Sequence, residues 1–298
     1  MIGTYYPPGD PCHASRVPYS VLSCLIFDCD WWIKLNRPMN EESLELAKLA
    51  GQAANVLVNY VIPVYQTRRG MPAQVGTGFI VRAGGEHFFV TAGHVFDLRA
   101  EGMLYFYSDV NIHRFINGSA RWTSFDRSRQ DDDLDVAVVK LSRQALPPYR
   151  KIKKVAMDLN VLAPRRLRER AHYLAVGFPH SKNRPNPTAN HIDASAWGFY
   201  GESLPPSEYS RAGIAPDSHI LLKFEEKRGF DAKLLPIRMN KPQGMSGAPI
   251  WMLASDHYSD PNEGPVVVAV ATAHRKALKA VQGTDVVVVH QMIAEMLR

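Results

Sequence analysis

Cysteine is scarce in this chain: of 298 residues only Cys12, Cys24 and Cys29 carry a thiol, and all lie near the N-terminus. The body has none to staple its strands, which excludes a disulfide framework and leads us to expect a reducing, cytoplasmic compartment. With His13 the three cysteines offer four zinc ligands, but Cys12 and His13 are adjacent and the spacing matches no common structural site, so no metal is expected. Long apolar runs are missing as well. "VLSCLIF" (21–27) stops at Asp28 and has no basic region before it, so neither a signal peptide nor a membrane span is expected. Low-complexity tracts and repeats of solenoid period are absent. The net charge of +6 and a pI near 9.2 favour anionic partners in general. Yet the basic residues are scattered. Only "RRLRER" (165–170) and "RKALK" (275–279) form clusters, no nucleic-acid module accompanies them, and no nucleic-acid partner is expected.

What remains is a globular composition, 46% hydrophobic and 21% charged, in a chain long enough for one large core or two smaller ones. Residues 1–38, rich in Pro, Tyr and Trp, read as an arm whose aromatics, Trp31 and Trp32 among them, need burial. From Asn40, a plausible N-cap, the spacing predicts an amphipathic helix over about 41–59, with Leu46, Leu49, Ala50, Ala53, Val56 and Leu57 on one face. Residues 1–62 are therefore expected to dock on the rest of the protein as a brace or a regulatory arm. After Tyr60 come short apolar segments between Gly, Pro, Asn and charged turns: "VIPVYQ", "GTGFIV", "EHFFVTAGH", "MLYFYS", "DVAVVKL", "HYLAVGFP", "SAWGFYG", "HILLKF" and "PVVVAVATAH". Such spacing indicates an all-β barrel or sandwich. "TDVVVVHQMIAEML" (284–297) predicts a terminal helix.

Within this pattern "PQGMSGAP" (242–249) sets Ser246 between glycines. A serine hydroxyl is a poor nucleophile without a base, a group to orient that base, and donors for a developing oxyanion. Eleven histidines are available as the base, and His94 in "FFVTAGHVFD" stands at the end of an apolar strand, where a side chain can be aimed rigidly. Asp135 in "DDDLDVAVVKL" heads a buried strand, where a carboxylate is costly unless hydrogen-bonded, for instance to an imidazole N–H. Its neighbours Asp131, Asp132 and Asp133 read as a solvated turn and lack the Gly and Glu of a calcium loop.

Thr91-Ala92-Gly93-His94, Asp135-Val136-Ala137 and Gly244-Met245-Ser246-Gly247-Ala248-Pro249, in that order, resemble the signatures of the trypsin/chymotrypsin-like serine proteases. "YLAVGFP" (173–179) is similar to a strand of the bacterial glutamyl-endopeptidase and heat-shock-protease branches. The resemblance covers about 63–298; residues 1–62 have no counterpart. It implies two six-stranded antiparallel β-barrels, one over 63–150 with His94 and Asp135 and one over 151–298 with Ser246, preceded by the helical extension and followed by the C-terminal helix. It also implies a serine endopeptidase without cofactor, with protein or peptide substrates and an oxyanion hole formed by the amides of Gly244 and Ser246. Two departures stand out: Met245 replaces the aspartate of digestive members, and no Ile-Val-Gly-Gly cleavage site precedes the first barrel, so activation by a newly cut N-terminus is not expected. By the same resemblance Asn240, Lys241, Thr272 and His274 wall the specificity pocket. Lys241 with His274 would then favour cleavage after acidic residues. A catalytically silent pseudoprotease that binds a partner, and an esterase using the same residues, are the alternatives.

Overall fold

Apolar segments alternating with Gly, Pro and charged turns build two curled, mostly antiparallel sheets in the computed structural model, which describes residues 41–109, 112–124, 131–146, 156–163, 171–180, 183, 185–186, 191–192, 194–231, 233, 235–239, 241–253 and 265–298. The arm at 1–38, the Asn40 cap, the cluster at 165–170 and Asn240 lie outside the described residues.

A 17-residue helix, α1 (Glu41–Leu57), leads into the first sheet, made of β1 (Ile62–Arg68), β2 (Met71–Ala83), β3 (Glu86–Ala92), β4 (Leu104–Asp109), β5 (Ile112–Phe115), β6 (Gly118–Trp122), β7 (Val136–Leu141) and β8 (Met157–Asp158). Its order is β5-β4-β1-β2-β3-β7-β6, with β8 parallel to β2 at the side. β2 is buried along nearly its whole length and not on alternate residues, because both its faces are covered. Val64, Phe89, Val95, Phe106, Ala137 and Val139 fill the core, the rings of Phe89 and Phe106 stacking at 6.5 Å. Each such buried phenylalanine contributes roughly 1.5–3 kcal/mol. Between β3 and β4 the chain coils into a short helix, α2 (Gly93–Asp97).

The second sheet comprises β9 (His172–Gly177), β12 (Trp197–Glu202), β13 (His219–Lys223), β14 (Gly229–Phe230), β15 (Pro236–Ile237), β16 (Pro249–Met252), β17 (Val266–Arg275) and β18 (Ala280–Asp285), in the order β13-β18-β17-β16-β9-β12-β14-β15. β10 (Pro185–Asn186) and β11 (His191–Ile192) form a separate ribbon. Tyr173, Phe199, Leu222, Met245, Ile250 and Val268 share the core of the second sheet. A bridge between Ser203 and Leu222 ties the end of β12 back to β13. Helix α3 (Pro206–Ala212) starts with Pro and stops at left-handed Gly213, the usual asymmetry of helix ends. The last helix, α4 (Val287–Leu297), leaves β18 and packs on β7, so the C-terminus of the chain ties the two sheets together.

Four expectations are revised. By hydrogen bonding each sheet has eight strands where six were expected, the extra ones including the two-residue β8, β14 and β15. The terminal helix starts at Val287; Thr284 and Asp285 belong to β18. Helix α1 ends at Leu57, and the face it buries is Ala47, Ala50, Ala53, Ala54 and Leu57, with Leu49 39% and Val56 37% exposed. Alanines let the helix approach β9 and β12 closely, and the bulkier Leu49 and Val56 are turned outward. The fourth revision, the structured acidic turn before β7, belongs to the site. Among the described residues no helix is long and apolar enough to cross a membrane.

Candidate active site

Strand register brings the first two residues together. β3 pairs with β7 so that Ala92 faces Val136; His94, just past β3, and Asp135, just before β7, therefore meet at one end of the sheet. His94 lies two residues past the end of β3, in the first turn of α2. Its backbone N–H donates to Asp135 Oδ1 at 2.8 Å, and its ring Nδ1 to Oδ2 at 2.6 Å. With Nδ1 carrying the proton, Nε2 of the neutral ring is left as the acceptor. The Asp135 carboxylate is 15% exposed and the His94 imidazole 44%, so the acid is shielded and the base faces solvent. Helix α2 is anchored by Val95 and Phe96 in the core, and by Arg99, whose guanidinium lies 4.0 Å from the Phe96 ring and 4.3 Å from the Trp122 ring.

Asp135 itself has φ 50°, in the left-handed region that Asp and Asn tolerate better than other side chains. The acidic turn before it is not merely solvated. Asp132 accepts the amides of Leu134 at 3.2 Å and Asp135 at 3.1 Å through Oδ1, and the Thr123 hydroxyl through Oδ2 at 2.5 Å. A short carboxylate satisfying its own loop's N–H groups is what holds that loop in this conformation.

Ser246 sits in the turn between Lys241 and β16. Gly244 has φ 93° and Gly247 φ 88°, and both positions are crowded: a Cβ on Gly247 would stand 2.0 Å from Thr77 O and 2.9 Å from Ala92 N. The turn thus presses against β2 and the end of β3, next to His94, and Thr77 N donates to Ser246 O at 2.9 Å. Within it only some of the amides are bonded. Met245 N bonds Pro242 O, Gly247 N bonds Ala271 O and Ala248 N bonds Met245 O, whereas Gly244 N and Ser246 N have no acceptor among the described residues. N–H groups left without an acceptor in such a turn are donors that an anion could take up.

Each sheet also grips the loop borne by the other. From the first, Thr77 Oγ1 donates to Gly244 O at 2.8 Å, and Gln74 reaches Gly244 O and Phe178 O. From the second, His219 Nε2 donates to Asp133 O at 2.9 Å, Gln282 Nε2 lies 3.5 Å from the same oxygen, and the Thr284 hydroxyl bonds Leu134 O. Sequence reasoning missed all five residues. Their only trace was polar side chains at strand positions that prove buried.

Of the expected pocket residues, Lys241 is exposed, and Thr272 is buried in β17 with its hydroxyl 3.4 Å from Gln282 O. His274 is half-buried, edge-on to the Phe224 ring at 5.4 Å, and desolvation, helped by Lys276, holds its imidazole below the usual range. Among the described residues no cluster of His, Cys, Asp or Glu is arranged to hold a metal ion. No family model matches the chain, and no curated protein matches it.

Proposed function

We propose that the protein is a serine endopeptidase of the trypsin/chymotrypsin-like kind, working without a cofactor through His94, Asp135 and Ser246. The observation that carries this reading is the turn at Ser246, in which the amides of Gly244 and Ser246 have no acceptor among the described residues while the turn packs against the end of β3 that leads to the His94–Asp135 pair. In the proposed reaction Ser246 Oγ attacks the peptide carbonyl carbon and His94 Nε2 takes its proton. Asp135 stays ionised and stabilises the imidazolium, the two amides bind the oxyanion, and His94 returns the proton to the leaving amine. Water then attacks the acyl-enzyme by the same route and frees the serine. The wider arrangement is read as two β-barrels. In the second, the path β13-β18-β17-β16-β9-β12 closes on itself through the Ser203–Leu222 bridge and the Leu204 N to Leu221 O bond at 2.7 Å, giving a six-strand circuit with β14 and β15 appended.

A fluorophosphonate probe followed by a peptide-library digest tests the reading. The wild type is expected to label and to cleave, with a preference for acidic residues before the cut; Ser246→Ala does neither. A second reading, a partner-binding module without turnover, draws on the absence of a hydrogen bond between Ser246 and His94 among the described residues. Such bonds are often long before substrate is bound. An unlabelled wild type would favour that second reading, and cleavage of simple esters but no peptide would make the protein an esterase.

A further inference from the structure

We propose that Gln74 and Asn183 are positioning residues that fix the direction of the Gly244 oxyanion amide, an inference resting on the hydrolase reading of Ser246. In a planar trans peptide the C=O of one residue and the N–H of the next point opposite ways. The partner of the Gly244 N–H is therefore the carbonyl of Gln243, and that carbonyl accepts His180 N at 2.8 Å. While His180 N holds it, the Gly244 N–H points away from His180 and stays free for an oxyanion. Gly244, free of a Cβ at φ 93°, is also the residue about which the peptide most easily turns over, replacing the donor by a carbonyl oxygen.

Two buried amides brace the segment that supplies His180 N. Gln74 is 7% exposed and Asn183 5%. Gln74 Nε2 donates to Phe178 O and lies 3.1 Å from Gly76 O and 3.3 Å from Gly244 O. Its Oε1 accepts Asn183 Nδ2 at 2.9 Å, and the same Nδ2 lies 2.9 Å from Pro179 O. Asn183 Oδ1 accepts Ser195 N at 2.7 Å. The pair thus grips Phe178 and Pro179, the two residues before His180: Gln74 from a strand of the first sheet, Asn183 from just beyond His180. Thr77 completes the brace, accepting Phe178 N at 3.1 Å while donating to Gly244 O. Buried networks in which every polar group is satisfied rigidify what they touch. Here that is the backbone on both sides of the Gln243–Gly244 peptide.

The test uses the full chain with Gln74→Met and Asn183→Ala. For each, kcat and KM on a peptide ester, inhibition by a peptide boronate that forms an oxyanion-like adduct, and the amide NMR resonance of Gly244 are measured. Losing one oxyanion donor costs about 10²- to 10³-fold in kcat, so a donor left partly misdirected should cost ~10- to 100-fold. KM should hold, boronate inhibition should weaken in step with kcat, and the Gly244 resonance should move. Unchanged kcat with an unmoved resonance overturns the proposal, as does a loss confined to KM. Should Gln74→Met fail to fold, Gln74→Glu, which keeps the acceptor for Asn183 but loses the donors, takes its place alongside Asn183→Ala. If the wild type takes neither fluorophosphonate nor boronate, the hydrolase reading fails. The Gly244 resonance then decides the positioning claim alone: moved in the variants, it stands; unmoved, it falls.

Discussion

His94 gives Asp135 two hydrogen bonds at once, one from its backbone N–H at 2.8 Å and one from its ring at 2.6 Å. The carboxylate therefore fixes both where the imidazole sits and which nitrogen is protonated. Asp135→Asn should keep the fold, because Asn tolerates the left-handed backbone at this position, yet lower kcat by about four orders of magnitude through loss of the tautomer. Ser246→Ala and His94→Ala should abolish turnover with thermal melting unchanged. Wild-type rates in all three variants would refute the triad.

Gly247 is where the nucleophile turn meets the first sheet. A Cβ there would lie 2.0 Å from Thr77 O and 2.3 Å from Thr91 Oγ1, with φ 88° adding backbone strain. Backbone cannot retreat as a flexible side chain can. Gly247→Ala is expected to lose about 2–4 kcal/mol of stability in urea denaturation, overpacking and left-handed strain together. A loss under about 1 kcal/mol would mean that the two surfaces are less tightly apposed.

The residues of the proposed triad were legible because each lies in a short local motif whose spacing survives without knowledge of the fold. So were the long strands, whose apolar runs announce themselves. What supports the site was not. Gln74, Thr77, His219 and Thr284 act through side-chain bonds to backbone far away in sequence, and such contacts leave no periodicity to read. β8, β14 and β15, two residues each, are too short to show alternation, and β18 carries Gly283 in its middle, which reads as a break. For α1 the period was right and the face was half right: Ala50, Ala53 and Leu57 are buried, Leu49 and Val56 are not. Hydrophobicity favoured Leu49 and Val56, whereas close packing on the sheet turned the smaller Ala47 and Ala54 inward in their place.

The grip of the second sheet on the Asp135 loop gives another prediction. Thr284 is fully buried, and its hydroxyl bonds Leu134 O, next to Asp135. Thr284→Val keeps the shape but leaves that carbonyl without its donor, at a cost of about 1–3 kcal/mol. Urea denaturation should show this loss, and the rate should fall at constant KM as the loop loosens. Thr284→Ser, which keeps the hydroxyl, should recover most of both. If Val and Ser behaved alike, the bond would be contributing nothing.

His274 is one of three histidines whose burial makes the folded protein sensitive to acid. Desolvation beside Phe224 and then the positive charge of Lys276 hold its imidazole below the usual 6.5, and burial also lowers His87 and His180. The unfolded chain, whose histidines titrate normally, therefore binds more protons than the folded one as pH falls below that value. Stability that is fully present above 6.5 is lost as pH drops from there through the folded value. Melting temperatures taken from about pH 8 to about pH 5 should fall on the acid side, and less steeply for His274→Asn. The same shift bears on specificity. At neutral pH the ring is uncharged, so any attraction of His274 for an acidic substrate side chain should grow toward lower pH, leaving Lys241 to act alone at higher pH. Matched peptides with Glu or Gln before the cut, compared across this range, should show the Glu preference rising in acid for the wild type and flat for His274→Asn. Parallel profiles in the two proteins would remove His274 from the pocket.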